Sequence, residues 1–200
     1  MGKLINNRRA MKLALAVLIV VIVGFAAVLF FMSYGGRGEA AAESSVETTG
    51  SQAMKIDTSS DYAEELYGCK VDDVNDTAAV VKLLEAMGLE NVTGKYTATI
   101  AAEGDIRVLT VTFEDSVQKA NKKTLDDNMV ICAQQMMALM PSVDKVQWTY
   151  SLRSADAEEE TTTVSLDEAG AREQLSRNID KYGESARAFR NLLQEQAGEE

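Results

Sequence analysis

The sequence predicts an α+β domain: a small antiparallel sheet with helices on one face, in the order α-β-β-α-β-β-α, behind an N-terminal membrane helix and a flexible tether. Three observations carry this. The stretches "KYTATIAA" (95–102) and "IRVLTVTFE" (106–114) alternate apolar and polar residues on either side of Glu103-Gly104-Asp105, which reads as a β-hairpin. Leu125, Met129, Cys132, Met136, Leu139 and Met140 recur at helical spacing and stop at Pro141. The twenty residues from Leu13 to Met32, "LALAVLIVVIVGFAAVLFFM", contain no charge and match a bilayer core of about 30 Å at the α-helical rise.

The remaining elements follow the same logic. Val80, Leu83, Leu84 and Met87 mark a helix over about 75–87, closed by Gly88. Asp73 and Asp76 are spaced as a capping pair ahead of it. "VDKVQWTYSL" (143–152) is a strand with Val146, Trp148, Tyr150 and Leu152 on one side. "AEEE" (157–160), with Glu158, Glu159 and Glu160, reads as a solvated loop tip, and "TTTVS" (161–165) as a short returning strand. Ser165 and Glu168 form a second capping box, opening helices at about 166–177 and 184–196. The β-α-β unit is like half of a ferredoxin-like split arrangement.

Four domain segments are expected. Residues 1–12 carry Lys3, Arg8, Arg9 and Lys12 and no acid, which keeps them cytoplasmic under the positive-inside rule. Residues 13–32 form an uncleaved signal anchor; a cleaved signal peptide has a shorter apolar region, of about 7–15 residues. Residues 33–60 are rich in Gly, Ser, Thr, Ala and Glu and read as a tether of roughly 30 Å r.m.s. span. Residues 61–197 are then the extracytoplasmic domain.

Charge and composition narrow the function. The first twelve residues carry +4, while residues 33–200 hold 16 basic and 31 acidic side chains, or −15. Such a surface repels nucleic acid and anionic lipid. The chain has no His, the commonest general base and transition-metal ligand. No nucleophile-elbow or phosphate-loop motif is present. "DDVND" (72–76) lacks the alternating ligands and terminal bidentate Glu of a calcium loop. The Met-rich "QQMMALM" (134–140) is read as core, with Met137 off the main stripe and at the edge of a contact surface. No catalytic residue, metal or cofactor is therefore expected.

Cys69 and Cys132 are the two cysteines. Export permits a disulfide between them, closing a loop of about 60 residues worth roughly 4 kcal/mol on the chain-entropy model. The other reading makes Cys132 a small apolar core residue and Cys69 an incidental thiol.

The stretch "LYGCKVDDVNDTAAVVKLLEAMGL" (66–89) resembles the opening of an extracytoplasmic domain of unknown function from Gram-positive bacteria. That opening reads Tyr-x-x-Lys-x-x-Tyr-Val-Gly-Asp-Asn-Ser-x-Val before a Leu-rich helix. Tyr67, Lys70, Val74, Asp76 and Val80 match it; Asp73, Asn75 and Thr77 stand where the family has Tyr, Gly and Asn. "MMALMPSVDKVQWTYS" (136–151) resembles the family's second block, and the likeness extends over about 62–195. Such domains occur on membrane-anchored proteins, lipoproteins and beta-lactam-sensor-type antirepressor peptidases. The resemblance implies a sensing or interaction module and supplies no catalytic residues.

The function expected from these readings is a membrane-anchored, non-catalytic module that binds an envelope or membrane protein. The alternative is a membrane-tethered, carboxylate-dependent hydrolase of cell-envelope material, which needs two carboxyl groups about 5 to 9 Å apart across a cleft.

Overall fold

A computed structural model of the 200-residue chain describes residues 22–23, 50–154 and 157–199. Its elements are β1 (Ile22–Val23), α1 (Ser60–Tyr67), α2 (Thr77–Ala86), α3 (Glu90–Thr93), β2 (Tyr96–Glu103), β3 (Ile106–Phe113) and β4 (Val117–Gln118). A 3-10 turn (Lys119–Asn121) then leads into α4 (Lys122–Leu139), β5 (Lys145–Ser154), β6 (Ala157–Asp167), α5 (Glu168–Gln174), α6 (Ile179–Tyr182) and α7 (Ala186–Gln196). The membrane-helix expectation lies outside the described residues. Within that apolar run only Ile22–Val23 are described, beside Ala98 and Thr97 of β2, a contact shorter than a stable strand. Among the described residues no helix is long and apolar enough to cross a membrane.

The sheet is mixed, which corrects the antiparallel expectation. β2 and β3 form the expected hairpin, in register from Tyr96 opposite Phe113 to Glu103 opposite Ile106. Gly104 begins the two-residue turn at φ 68°, the left-handed position such a loop favours. β3 then pairs with β5 in parallel, Leu109 opposite Val146 and Val111 opposite Trp148. The cause is α4. One helix of 18 residues, about 27 Å long, carries the chain back to the end at which β3 began. β4 continues the β3 edge along the far end of β5, and β6 pairs antiparallel along the other edge.

The core lies on one face of this sheet. Tyr96, Ala98, Ile100, Leu109, Val111, Phe113, Val146, Trp148 and Tyr150 all point to it and are buried. Against them lies α4, and α6 and α7 pack on α4 in turn, with α1 on α7. The expected one-sided stripe on α4 is therefore too narrow. Every residue from Cys132 to Met140 is buried, including Ala133, Gln134, Gln135 and Met137, because the helix is covered by the sheet on one side and by helices on the other. Met137, 2% exposed, is core and not the edge of a contact surface.

Burying Gln134 and Gln135 requires partners, and the C-terminal helices supply them. Gln134 donates to Gln174 Oε1 at 3.1 Å, and Gln135 donates to Gln196 Oε1 at 2.9 Å. Gln196 Nε2 donates to Gln134 Oε1 at 2.8 Å and to the Ile131 carbonyl at 3.1 Å.

The other differences are local. Asp167, not Ser165, caps α5 by accepting from Gly170 N at 2.8 Å, because Ser165 is still paired in β6 opposite Gln147. The expected helix over 166–177 is α5 alone, Glu168–Gln174, and α6 precedes α7. Residues 157–160 belong to β6 and are not a loop tip. The last third of the expected tether is packed: Met54 and Ile56 lie on the core, so the described fold begins at residue 50.

Gly183 closes α6 where the chain passes close against the α4 backbone at Ala138. A Cβ there would lie 2.0 Å from the Ala138 carbonyl oxygen, a backbone atom that cannot yield alone. Gly183→Ala is expected to destabilise the chain by about 3 kcal/mol, the upper end of ordinary overpacking. Urea unfolding checks this; a loss below about 0.5 kcal/mol, typical of an open surface site, contradicts the contact.

Candidate functional site

The residues behind the family resemblance turn out to be a latch. Tyr67 ends α1, and its hydroxyl donates to the Glu184 carbonyl at 3.1 Å. Lys70 donates to the Gly183 carbonyl at 2.8 Å while its ammonium sits 5.7 Å from the Tyr67 ring centre. The two side chains fasten the α1–α2 connection to the end of α6. Val74 and Val80 are buried. Asp76 caps α2, accepting from Ala79 N at 3.1 Å, as its spacing predicts. Asp73 does not cap the helix. Its Oδ1 accepts from Asn75 N at 2.9 Å and Asn75 Nδ2 at 2.6 Å, a local turn one step earlier. The Asn75 backbone N–H, then its side-chain amide, hold the Asp73 carboxyl below the usual carboxylate value.

Cys69 and Cys132 are both free, so the expected disulfide is not formed. Cys132 lies on buried α4, with its Sγ 4.0 Å from Met54 Sδ, and Cys69 is half-buried after Gly68. Burial pushes the Cys132 thiol up to about 12, which removes thiolate chemistry near neutral pH.

Among the described residues no group of three or more His, Cys, Asp or Glu is placed to hold a metal ion. Of the Glu158–Glu160 run, Glu159 pairs with Arg153 at 3.1 Å. One polar cluster gathers a carboxylate with two hydroxyls. Glu195 on α7 accepts from Tyr182 Oη, from Ser176 N at 2.6 Å and from Ser176 Oγ at 2.9 Å. Burial raises this carboxyl, and the hydrogen bonds from Tyr182 and Ser176, with Arg177 nearby, outweigh it and leave it lowered. Tyr182 links α7 to α6, and Ser176 links it to the connection between α5 and α6.

The feature that faces outward is the other side of the sheet. Its side chains alternate with the core residues and align across strands. Thr97, Thr112, Thr149 and Thr163 form one row; Thr99, Thr110, Gln147 and Ser165 form the next. Ser151 and Thr161 begin a third. Thr112, Thr161, Thr163 and Ser165 are exposed and the rest half-buried. Thr149 and Thr163 hydroxyls are 3.0 Å apart. Charges stand only at the ends of this face, as the pairs Lys145–Glu103 at 3.0 Å and Arg153–Glu159 at 3.1 Å and as Asp167 opposite Lys145. Between them lie ten uncharged polar side chains on a domain of strongly negative charge. Every aromatic ring of the described strands, Tyr96, Phe113, Trp148 and Tyr150, points to the core instead.

Sequence reasoning followed the core side of each strand and passed over this side. The signal was present: "TAT" (97–99), "TVT" (110–112) and "TTTVS" (161–165) put hydroxyls at the outward positions where a solvated strand would carry Lys or Glu. Comparison with models of known families, with curated proteins and with solved structures finds no match.

Thiol labelling tests the cysteine assignment. Unreduced native chain is expected to take up one equivalent of maleimide at Cys69, with Cys132 reacting only after denaturation. Failure of both to react in denatured, unreduced protein would restore the disulfide.

Proposed function

We propose that this chain is a membrane-anchored, extracytoplasmic interaction module, without catalytic activity, whose outer sheet face docks a partner protein. The observation that carries this reading is the uncharged threonine face. A chain with 31 acidic residues has ample charge to solvate every strand, yet ten adjoining outward positions carry none. Removing a hydroxyl from water costs less than removing a carboxylate or an ammonium, so this is the face cheapest to cover. A protein surface is favoured over a glycan because the face offers no ring on which a sugar could stack.

Its size indicates the kind of contact. Four strands about 4.8 Å apart, and β5 about 30 Å long, give on the order of 450 Å². Stable complexes bury about 800 Å² per partner, so the contact belongs with weak, transient encounters. This suits a regulatory partner in the same membrane or envelope. The apolar run 13–32 and the basic residues before it support anchoring with the domain outside. The resemblance of residues 66–89 to extracytoplasmic modules supports the same placement.

The test is site-specific photo-crosslinking of the full chain in the membranes of cells that make it. A photoreactive residue at Thr112 or Thr149 is expected to give one discrete adduct, and one at exposed Lys82 on α2 none. Thr110→Arg should lower the adduct yield by at least about fivefold, since the charge must be buried unpaired. Equal capture from Lys82, or none from either threonine, contradicts the assignment.

A further inference from the structure

A second binding feature lies on the opposite side of the molecule and goes beyond the docking reading, standing or falling without it. Residues 51–58 run as an extended strap over the helical side before α1. The strap has no backbone ladder to hold it, and a side chain of α4 takes that role. Asn128, 4% exposed, accepts from Met54 N at 2.9 Å through Oδ1 and donates from Nδ2 to the Gln52 carbonyl at 2.9 Å. Both polar ends of a buried amide are thereby spent on the main chain of one short segment. Removal of the segment would leave both without their present partners.

The side chains of the strap alternate as a strand's do. Met54 and Ile56 turn inward and Lys55 and Asp57 outward. Met54 reaches the Cys132 thiol. At the far end Arg190 Nε on α7 donates to the Thr58 carbonyl at 2.8 Å. At the near end Gly50, at φ 72°, passes so close to α4 that a Cβ would meet Leu125 Cβ at 2.7 Å. Beside the strap is a cavity of about 650 Å³ between α4, α1 and the α2–α3 corner, reached by Tyr62, Met87, Asn91 and Asn128.

We infer that this groove is a recognition site for an extended peptide with apolar side chains two residues apart, filled in cis by residues 51–58. Its hydrogen bonds go to main-chain groups that every peptide offers, and its selectivity comes from the two inward pockets now holding Met54 and Ile56. In the chain the strap lies between the helices and the apolar run 13–32. A pull or a partner acting on that connection would empty the groove and open it to a segment of another protein.

The cis strap competes at a local concentration in the millimolar range, so a free peptide binds well only when the strap is weakened. The probe is a fluorescent peptide, GSQAMKIDTS (residues 50–59), with the full chain in detergent. The double variant Met54→Ser, Ile56→Ser is expected to bind it at least about tenfold more tightly than the unaltered chain. Adding Asn128→Ala to that variant should abolish binding. Equal binding with and without Asn128, or no binding to a double variant that still unfolds cooperatively, overturns the inference. A measurement on the unaltered chain guards against loss of fold. Saturating peptide should speed hydrogen exchange at the Met54 amide as the strap leaves, and an unchanged rate overturns the inference equally.

Discussion

The Asp126 carboxylate is the point on which the packing turns. Its Oδ1 accepts from Trp148 Nε1 and from Tyr150 Oη, both at 2.9 Å, and its Oδ2 pairs with Lys122 at 2.6 Å. Trp148 and Tyr150 are the largest side chains sealed under α4, and their polar tips have no water to turn to. One acceptor satisfies both. Burial first, then the hydrogen bond to Asp126, pushes the Tyr150 hydroxyl up to about 12, and the hydrogen bond to Asp126 raises Lys122. The Tyr150 phenol and the Lys122 ammonium therefore both keep their protons through neutral pH.

Fixing Asp126 against β5 also fixes the rotation of α4 about its axis. Asn128 lies two residues on, about 200° round the helix, and so faces away from the sheet toward the strap. Cys132, one turn further, shares that side and meets Met54. Gln134 and Gln135 turn toward α5 and α7 and find amide partners there. With all helices gathered on α4's side, the threonine face is left as the sheet's only uncovered broad surface among the described residues. Asn128 and the threonines are thus placed by one decision, although they lie on opposite sides of the domain.

Much of this was legible in residue spacing. The hairpin, a strand read at 143–152 and found at 145–154, and the end of α4 before Pro141 follow from period-two and helical patterns and from Gly104 and Pro141. Asp76 was legible as a cap because one side chain and one backbone N–H decide it. The parallel pairing of β3 and β5 was missed although β-α-β order alone favours it: strand patterns show which side is buried and say nothing of direction. The buried side of α4 that carries Gln134, Gln135 and Ala133 was illegible for a different reason. Amides read as solvent-facing unless their partners, forty to sixty residues away, are known. Met54 and Ile56 were hidden by the polar composition around them, and Asp73 by a spacing that suits a cap and a turn equally.

The account's central claim is that this sheet face is covered in the cell and bare in the isolated chain. Chains bearing Thr112→Cys, Thr149→Cys or Thr163→Cys, with Cys69→Ser and the buried Cys132 retained, have one accessible thiol and allow a membrane-impermeant maleimide to report on it. Labelling rates are compared between intact cells that make the protein and the purified chain in detergent. The account predicts rates at least about fivefold slower in cells at all three positions, with a control cysteine at Lys82 unchanged. Equal rates in both settings at all three threonines would contradict it, and would leave the threonine face as ordinary solvated surface.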